Sequence, residues 1–186
     1  MELIQTLRTI LHNDYIAEVK QAGFFKLDEQ KVGNYPDTLV RFHKFRDFLP
    51  CKFDVENSNK LFPIFDIKQP GLSSISDYVL FYEKRRGDKP VLYVFLCNMK
   101  STNATGSSKQ VEATHILSEY IIKMAVRHLG YKKFQVRFRA LLFTLRHTAR
   151  FNTKVSRDKY VRLGRSGILQ MPLKAGNNCY LENLAR

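Results

Sequence analysis

Acidic residues are scarce in this chain. Seventeen Asp and Glu stand against 31 Lys and Arg, a formal charge of +14 over 186 residues. An excess of that size excludes an ordinary neutral surface and favours a polyanionic partner, with nucleic acid first and an anionic membrane surface second. Cysteine is scarce as well: Cys51, Cys97 and Cys179 are odd in number, far apart and without a Cys-x-x-Cys pair, which argues against a disulfide framework and a thiolate zinc site. The five histidines have no metal-ligand spacing with one another or with cysteine. Hydrophobic residues make up 44% of the chain but form no long apolar run, so no segment is expected to cross a bilayer. The opening residues MELIQTLRTI lack a basic leader followed by a small-residue cleavage site. Together with the cysteine usage this predicts an intracellular protein of the cytoplasm, nucleoid or nucleus. Internal repeats, Gly-rich phosphate loops and catalytic triads are missing too.

What is present fits one domain, 1–186, long enough to bury roughly 70% of the surface its unfolded chain exposes. Leu3, Ile4, Leu7, Ile10 and Leu11 follow a helical period; Asn13 or Asp14 either ends that helix or caps a second one carrying Ile16 and Val19. Residues 23–70 are the least periodic part, with phenylalanines among charges in LVRFHKFRDFLPCKFD. One apolar side is expected to pack on a sheet, leaving Arg41, Lys44, Arg46 and Lys52 outward. Basic residues among aromatics also suit single-stranded nucleic acid, through phosphates and base stacking.

The most informative stretch is 76–110, SDYVLFYEKRRGDKPVLYVFLCNMKSTNATGSSKQ. Two apolar runs, 78–82 and 91–97, rich in β-branched and aromatic residues, flank a polar break containing Gly and Pro, the pattern of a β-hairpin. A turn centred on Gly87 and Asp88 makes paired residue numbers sum to about 175, which sets Asp77 against Asn98. Because strand side chains alternate, Asn98 and Lys100 share one face and Met99 takes the other. A carboxylate, an amide and an ammonium therefore converge at the open end of the hairpin, where burial demands a partner, water or a metal. A site and a plain capped turn both fit that spacing.

Further along, residues 110–129 read as one helix with Leu117, Ile121, Met124 and His128 on its apolar side, Ile116 and Tyr120 alongside, and Gly130 as its stop. Its first turn brings Gln110 and Glu112 back toward the end of the strand carrying Lys100. Residues 134–145 read as a strand that sets Phe134, Val136 and Phe138 against Gln135, Arg137 and Arg139 before turning wholly apolar. The tail predicts a last short strand, a Gly-Asn-Asn turn and a terminal helical turn. This element order fits an α/β fold with a mixed central β-sheet flanked by helices.

Asp77 at the start of one strand, Asn98-Met99-Lys100 at the end of the next, and a helix opening with Gln110 together resemble the PD-(D/E)xK nuclease superfamily. The resemblance covers roughly the middle third of the chain. It implies a restriction-endonuclease-like fold and a nuclease dependent on Mg²⁺ or Mn²⁺. In that scheme Asp77, Asn98 and the carbonyl of Met99 hold the ion, Lys100 orients water or steadies developing charge, and Gln110 and Glu112 are accessory. By element order Glu18 is a further ligand. The chain departs from the family pattern at Asn98, where an acid is usual: an amide oxygen ligates a hard cation but brings no charge, so metal affinity falls. Glu112 would replace part of that charge.

Arg146, Arg150, Lys154, Arg157, Arg162 and Arg165 crowd a stretch almost devoid of acids. With Arg137 and Arg139 they are the candidate nucleic-acid contacts, DNA more than RNA. Within this stretch Gly164-Arg165-Ser166-Gly167 matches the short loop of KH domains without a KH-like helix pair around it. The Ser156/Lys159 spacing of a Ser/Lys nucleophile likewise falls in a basic loop. Two functions follow: hydrolysis of DNA phosphodiesters, or binding of nucleic acid by a nuclease fold that has lost its metal site. A protein partner or a homodimer stays open.

Overall fold

The computed structural model describes residues 3–28, 36–53, 74–86, 89–100, 106–130, 134–145, 161–163 and 167–185. The helical period at the N-terminus gives α1 (Leu3–Ile10), with Leu3, Ile4 and Leu7 buried. No second helix follows. His12 Nδ1 accepts the N–H of Asp14, a single 3-10 turn spans Asn13–Tyr15, and Ile16 then bridges to Cys51 in extended conformation. β-Branched Ile16 and Val19 suit that extended path better than a helix.

Two sheets form the rest. The larger has six strands, β3 (Phe48–Cys51), β4 (Tyr78–Arg86), β5 (Lys89–Lys100), β6 (Gln135–Thr144), β7 (Val161–Leu163) and β8 (Ile168–Lys174), in the order β3-β4-β5-β6-β8-β7. Pairing is antiparallel for β3–β4, β4–β5 and β7–β8, and parallel for β5–β6 and β6–β8. Between β5 and β6 the chain crosses over through α2 (Ser107–Leu129), ended by Gly130 in the left-handed conformation at φ 63°. The smaller sheet joins β1 (Phe24–Leu27), β2 (Thr38–Arg41) and β9 (Cys179–Tyr180), with β9 parallel to β2 and followed by α3 (Leu181–Leu184).

The large sheet is buried on both faces, which explains near-continuous apolar runs in β4 and β5. Val79, Phe81, Leu92, Val94 and Leu96 face the layer that contains α1 and α2. Leu80, Tyr82, Tyr93, Phe95, Cys97 and Met99 face the small sheet, meeting Phe25, Leu27, Val40, Cys179, Leu181 and Leu184. The expectation of helices flanking the sheet therefore holds for one face. On the other, β1 and β2 pair antiparallel and bury alternate residues, and among the described residues the four-residue α3 accompanies them. Phe48, Phe81, Phe95 and Phe143 are inaccessible; burial of each stabilises by roughly 1.5–3 kcal/mol.

α2 lies on the sheet in an unexpected rotation. Val111, Thr114, Ser118, Ile121, Ile122 and Ala125 are buried, whereas Ile116 and Tyr120 are 69% and 61% exposed and Met124 is exposed too. The buried face of α2 thus mixes small hydroxyl side chains with Val111, Ile121 and Ile122, and Ile116, Tyr120 and Met124 lie outside it. Among the described residues no helix is long and apolar enough to cross a membrane. All three cysteines are free and buried.

Candidate functional site

The hairpin register pairs Tyr78 with Cys97 and continues by numbers summing to 175 to Arg86 and Lys89. One step past the last pair, Asp77 comes opposite Asn98. Alternation sets both, with Lys100, on the α2 face, in line with Val79 and Leu96. Asp77 does not extend the backbone ladder. Its carboxylate oxygen Oδ2 accepts the N–H of Met99 at 2.6 Å, a charge-assisted bond. In an extended strand the N–H and C=O of one residue leave by the same edge, so the Met99 carbonyl is directed to the Asp77 side as well. The Met99 side chain is buried in the opposite layer.

The first turns of α2 close over this end. Asn98 Nδ2 donates to the carbonyl of Ser107 at 3.3 Å, and Asn98, only 1% exposed, keeps its Oδ1 buried without a hydrogen-bond partner. The Ser76 N–H donates to Thr114 Oγ1 at 2.6 Å, and that hydroxyl donates to the carbonyl of Gln110 at 2.6 Å. Gln110 Oε1 is a second buried oxygen without a partner. Lys100 and Glu112 are half-buried; Glu112 follows the sheet-facing Val111 and is rotated about 100° from it around the helix. On the far side of β5, burial pushes the Cys97 thiol well above its ordinary pKa, helped by the neighbouring Cys179 and the Asp77 charge.

These oxygens fit a hard divalent cation in kind. A carboxylate, a backbone carbonyl and two orphaned amide oxygens are the donors Mg²⁺ and Mn²⁺ prefer. They fit it less well in charge. Among the described residues no three His, Cys, Asp or Glu side chains gather around one point, and the carboxylate at this end of the hairpin is that of Asp77. Glu18 lies elsewhere: it lines a cavity with Lys20, Lys26, Lys52 and Tyr78 beside the small sheet.

The arginines expected to contact nucleic acid divide. Arg137 and Arg139 alternate to the sheet face opposite α2, Arg137 with Cζ 6.0 Å from the Tyr93 ring centroid and Arg139 donating from Nη1 to the Phe138 carbonyl at 2.9 Å. They do not share a face with Asp77. Arg146, Arg150, Lys154, Arg157 and Arg165 lie outside the described residues, and Arg162 belongs to β7.

Three positioning residues escaped the sequence reading: Ser76, Ser107 and Thr114. Of these only Thr114 acts through its side chain, and its signal was a hydroxyl on the buried stripe of α2 that also carries Ser107 and Ser118; Ser76 and Ser107 act through their backbone N–H and C=O. No family model matches the chain, and no curated protein or solved structure matches it either.

Proposed function

We propose that this chain is a metal-dependent nuclease-like protein that acts on DNA by phosphodiester hydrolysis, on a restriction-endonuclease-like core. One observation carries the reading: Asp77, Asn98, the Met99 carbonyl edge and Lys100 meet at one end of the β4–β5 hairpin, under the start of α2. The order α1, β3, β4, β5, α2, β6, interrupted after α1 by β1 and β2 of the small sheet, with antiparallel β3-β4-β5 and parallel β6, supports it.

A bound Mg²⁺ or Mn²⁺ would polarise a phosphoryl oxygen and lower the pKa of a water. The chain's own residues have separate tasks. The Met99 N–H fixes the Asp77 carboxylate in one orientation. Asn98 and Gln110 offer neutral oxygens from beneath α2. Lys100 supplies a half-buried ammonium that favours an anionic phosphate, and stronger electrostatics at a partly dry site raise its effect.

Asn98 favours a second reading, in which the same fold binds nucleic acid without cutting it. Its amide donates to α2, a structural task that an acid at this position cannot perform. The test is incubation with supercoiled, linear duplex and single-stranded DNA, plus and minus Mn²⁺, beside Asp77→Ala and Lys100→Ala. Cleavage that needs Mn²⁺ and is lost in both variants supports the nuclease. DNA binding that weakens steeply with salt and survives in all three proteins without cleavage replaces it with the binding protein. Absence of DNA binding at low salt refutes both.

A further inference from the structure

On the outer face of the small sheet, Phe24, Arg41 and Tyr180 form one row across β1, β2 and β9. Phe24 pairs with Arg41 and Arg41 with Tyr180. All three alternate away from the core, since their neighbours Phe25, Val40 and Cys179 are the buried ones. The Arg41 guanidinium carbon lies 4.5 Å from the Phe24 ring centroid and 5.0 Å from that of Tyr180. Among the described residues Arg41 has no carboxylate or hydrogen-bond acceptor, and its Nε is buried without one. Tyr180 is 45% exposed. The row opens on a cavity of about 470 Å³ completed by Gly23, Phe42, His43 and Glu182, within the size range of ligand sites.

An aromatic–guanidinium–aromatic row on an exposed sheet offers flat π surfaces at both ends and a delocalised cation between them. A folded protein gains little from leaving this surface open. Glu182 does not turn the cavity acidic, because Lys84 Nζ pairs with it at 2.6 Å and Tyr82 Oη donates to it at 2.5 Å. The uncompensated charge is Arg41, in a chain of net +14. The ligand that matches flat faces plus an anion is an unpaired base with its phosphate. A duplex hides its base faces and matches poorly.

We propose that the Phe24–Arg41–Tyr180 row is a stacking platform for unpaired bases of single-stranded DNA. It lies beyond the small sheet, on the side of the large sheet away from α2, and is independent of the hydrolytic reading.

The test exploits the absence of tryptophan from the sequence. Tyr180→Trp introduces a single indole on the platform, whose fluorescence a stacked base quenches. Oligo(dT) should quench it saturably, with the same affinity that anisotropy of labelled oligo(dT) reports. Asp77→Ala in the same background should leave the quench unchanged, even where it abolishes cleavage. Tyr180→Ala and Arg41→Lys should each weaken oligo(dT) binding about tenfold, the scale of one lost base stack, while duplex binding changes less than twofold. Arg41→Lys keeps the charge and removes only the planar face, and thermal melts confirm that each variant is folded. Oligo(dT) binding without quench, no oligo(dT) binding, or equal losses on single and double strands would overturn the assignment.

Discussion

Thr114→Val probes the polar link between α2 and the start of β4. The Thr114 side chain is inaccessible, and its hydroxyl accepts the N–H of Ser76, which is itself inaccessible. Valine nearly matches threonine in shape, so packing volume is kept while the Ser76 N–H loses its acceptor. The Gln110 carbonyl loses the hydroxyl donor but stays within the helical ladder, so the unsatisfied group is the Ser76 N–H. Leaving such a donor buried costs about 1–3 kcal/mol. At roughly 2–4 °C per kcal/mol for a chain of this size, the midpoint of thermal unfolding should fall by about 2–12 °C. Thr114→Ser keeps the hydroxyl and removes one methyl, which costs about 1 kcal/mol. Urea unfolding of the three proteins should therefore rank the original chain first, Thr114→Ser second and Thr114→Val last, with unchanged m-values. If Thr114→Val is as stable as the original, the hydrogen bond contributes nothing net and apolar contacts alone hold α2. Because Ser76 adjoins Asp77, Thr114→Val should also weaken Mn²⁺ binding in a calorimetric titration.

Asn98→Glu should strengthen Mn²⁺ binding near Asp77 and raise any cleavage, yet lower the stability of the metal-free protein, because a carboxylate cannot donate to the Ser107 carbonyl. Melts with and without Mn²⁺ check both halves, and an original chain that binds as tightly as the variant would show that Asn98 is no weakness. Glu182 titrates below its ordinary range: burial pushes it up, but hydrogen bonds from Lys84 and Tyr82 outweigh that. A depressed carboxyl stabilises the fold above its unfolded pKa and loses that contribution as pH falls through the folded value. Melting temperature between pH 6 and pH 3 should accordingly drop more steeply for the original chain than for Glu182→Gln, by a modest amount because the side chain is 55% exposed. Gly176 sits at φ 83°, and a Cβ there would meet Pro36 Cβ at 3.1 Å, so Gly176→Ala should cost at least about 1–2 kcal/mol in urea unfolding.

Local pattern carried much of the fold. Alternation and a short polar break were enough for the β4–β5 register, since a slip by one residue would have turned every apolar side chain to the wrong face. Gly130 ends α2 because the left-handed conformation there favours a residue without Cβ. The convergence of Asp77, Asn98 and Lys100 on one face followed from the same register. Within the least periodic stretch, 23–70, β1 and β2 were not legible, because two four-residue strands with cations and aromatics on the open face alternate too briefly to be distinguished from an irregular loop.

The sequence by itself determined what acts over a few residues: strand period, helix stop, hairpin register and the basic charge of the whole chain. Tertiary structure decided what lies against what. Val40 pairs with Cys179 and Gly176 donates to Thr38 Oγ1 at 2.9 Å, contacts between chain segments so distant that neither carries a local trace of the other. The rotation of α2 is the same kind of fact. By hydrophobicity Ile116, Tyr120 and Met124 ought to face inward with Leu117 and Ile121, but the buried face is centred on Val111, Thr114, Ser118, Ile121, Ile122 and Ala125, where Thr114 takes the Ser76 N–H. Asn98 became a buried amide with one end held and one end open only when α2 closed over it.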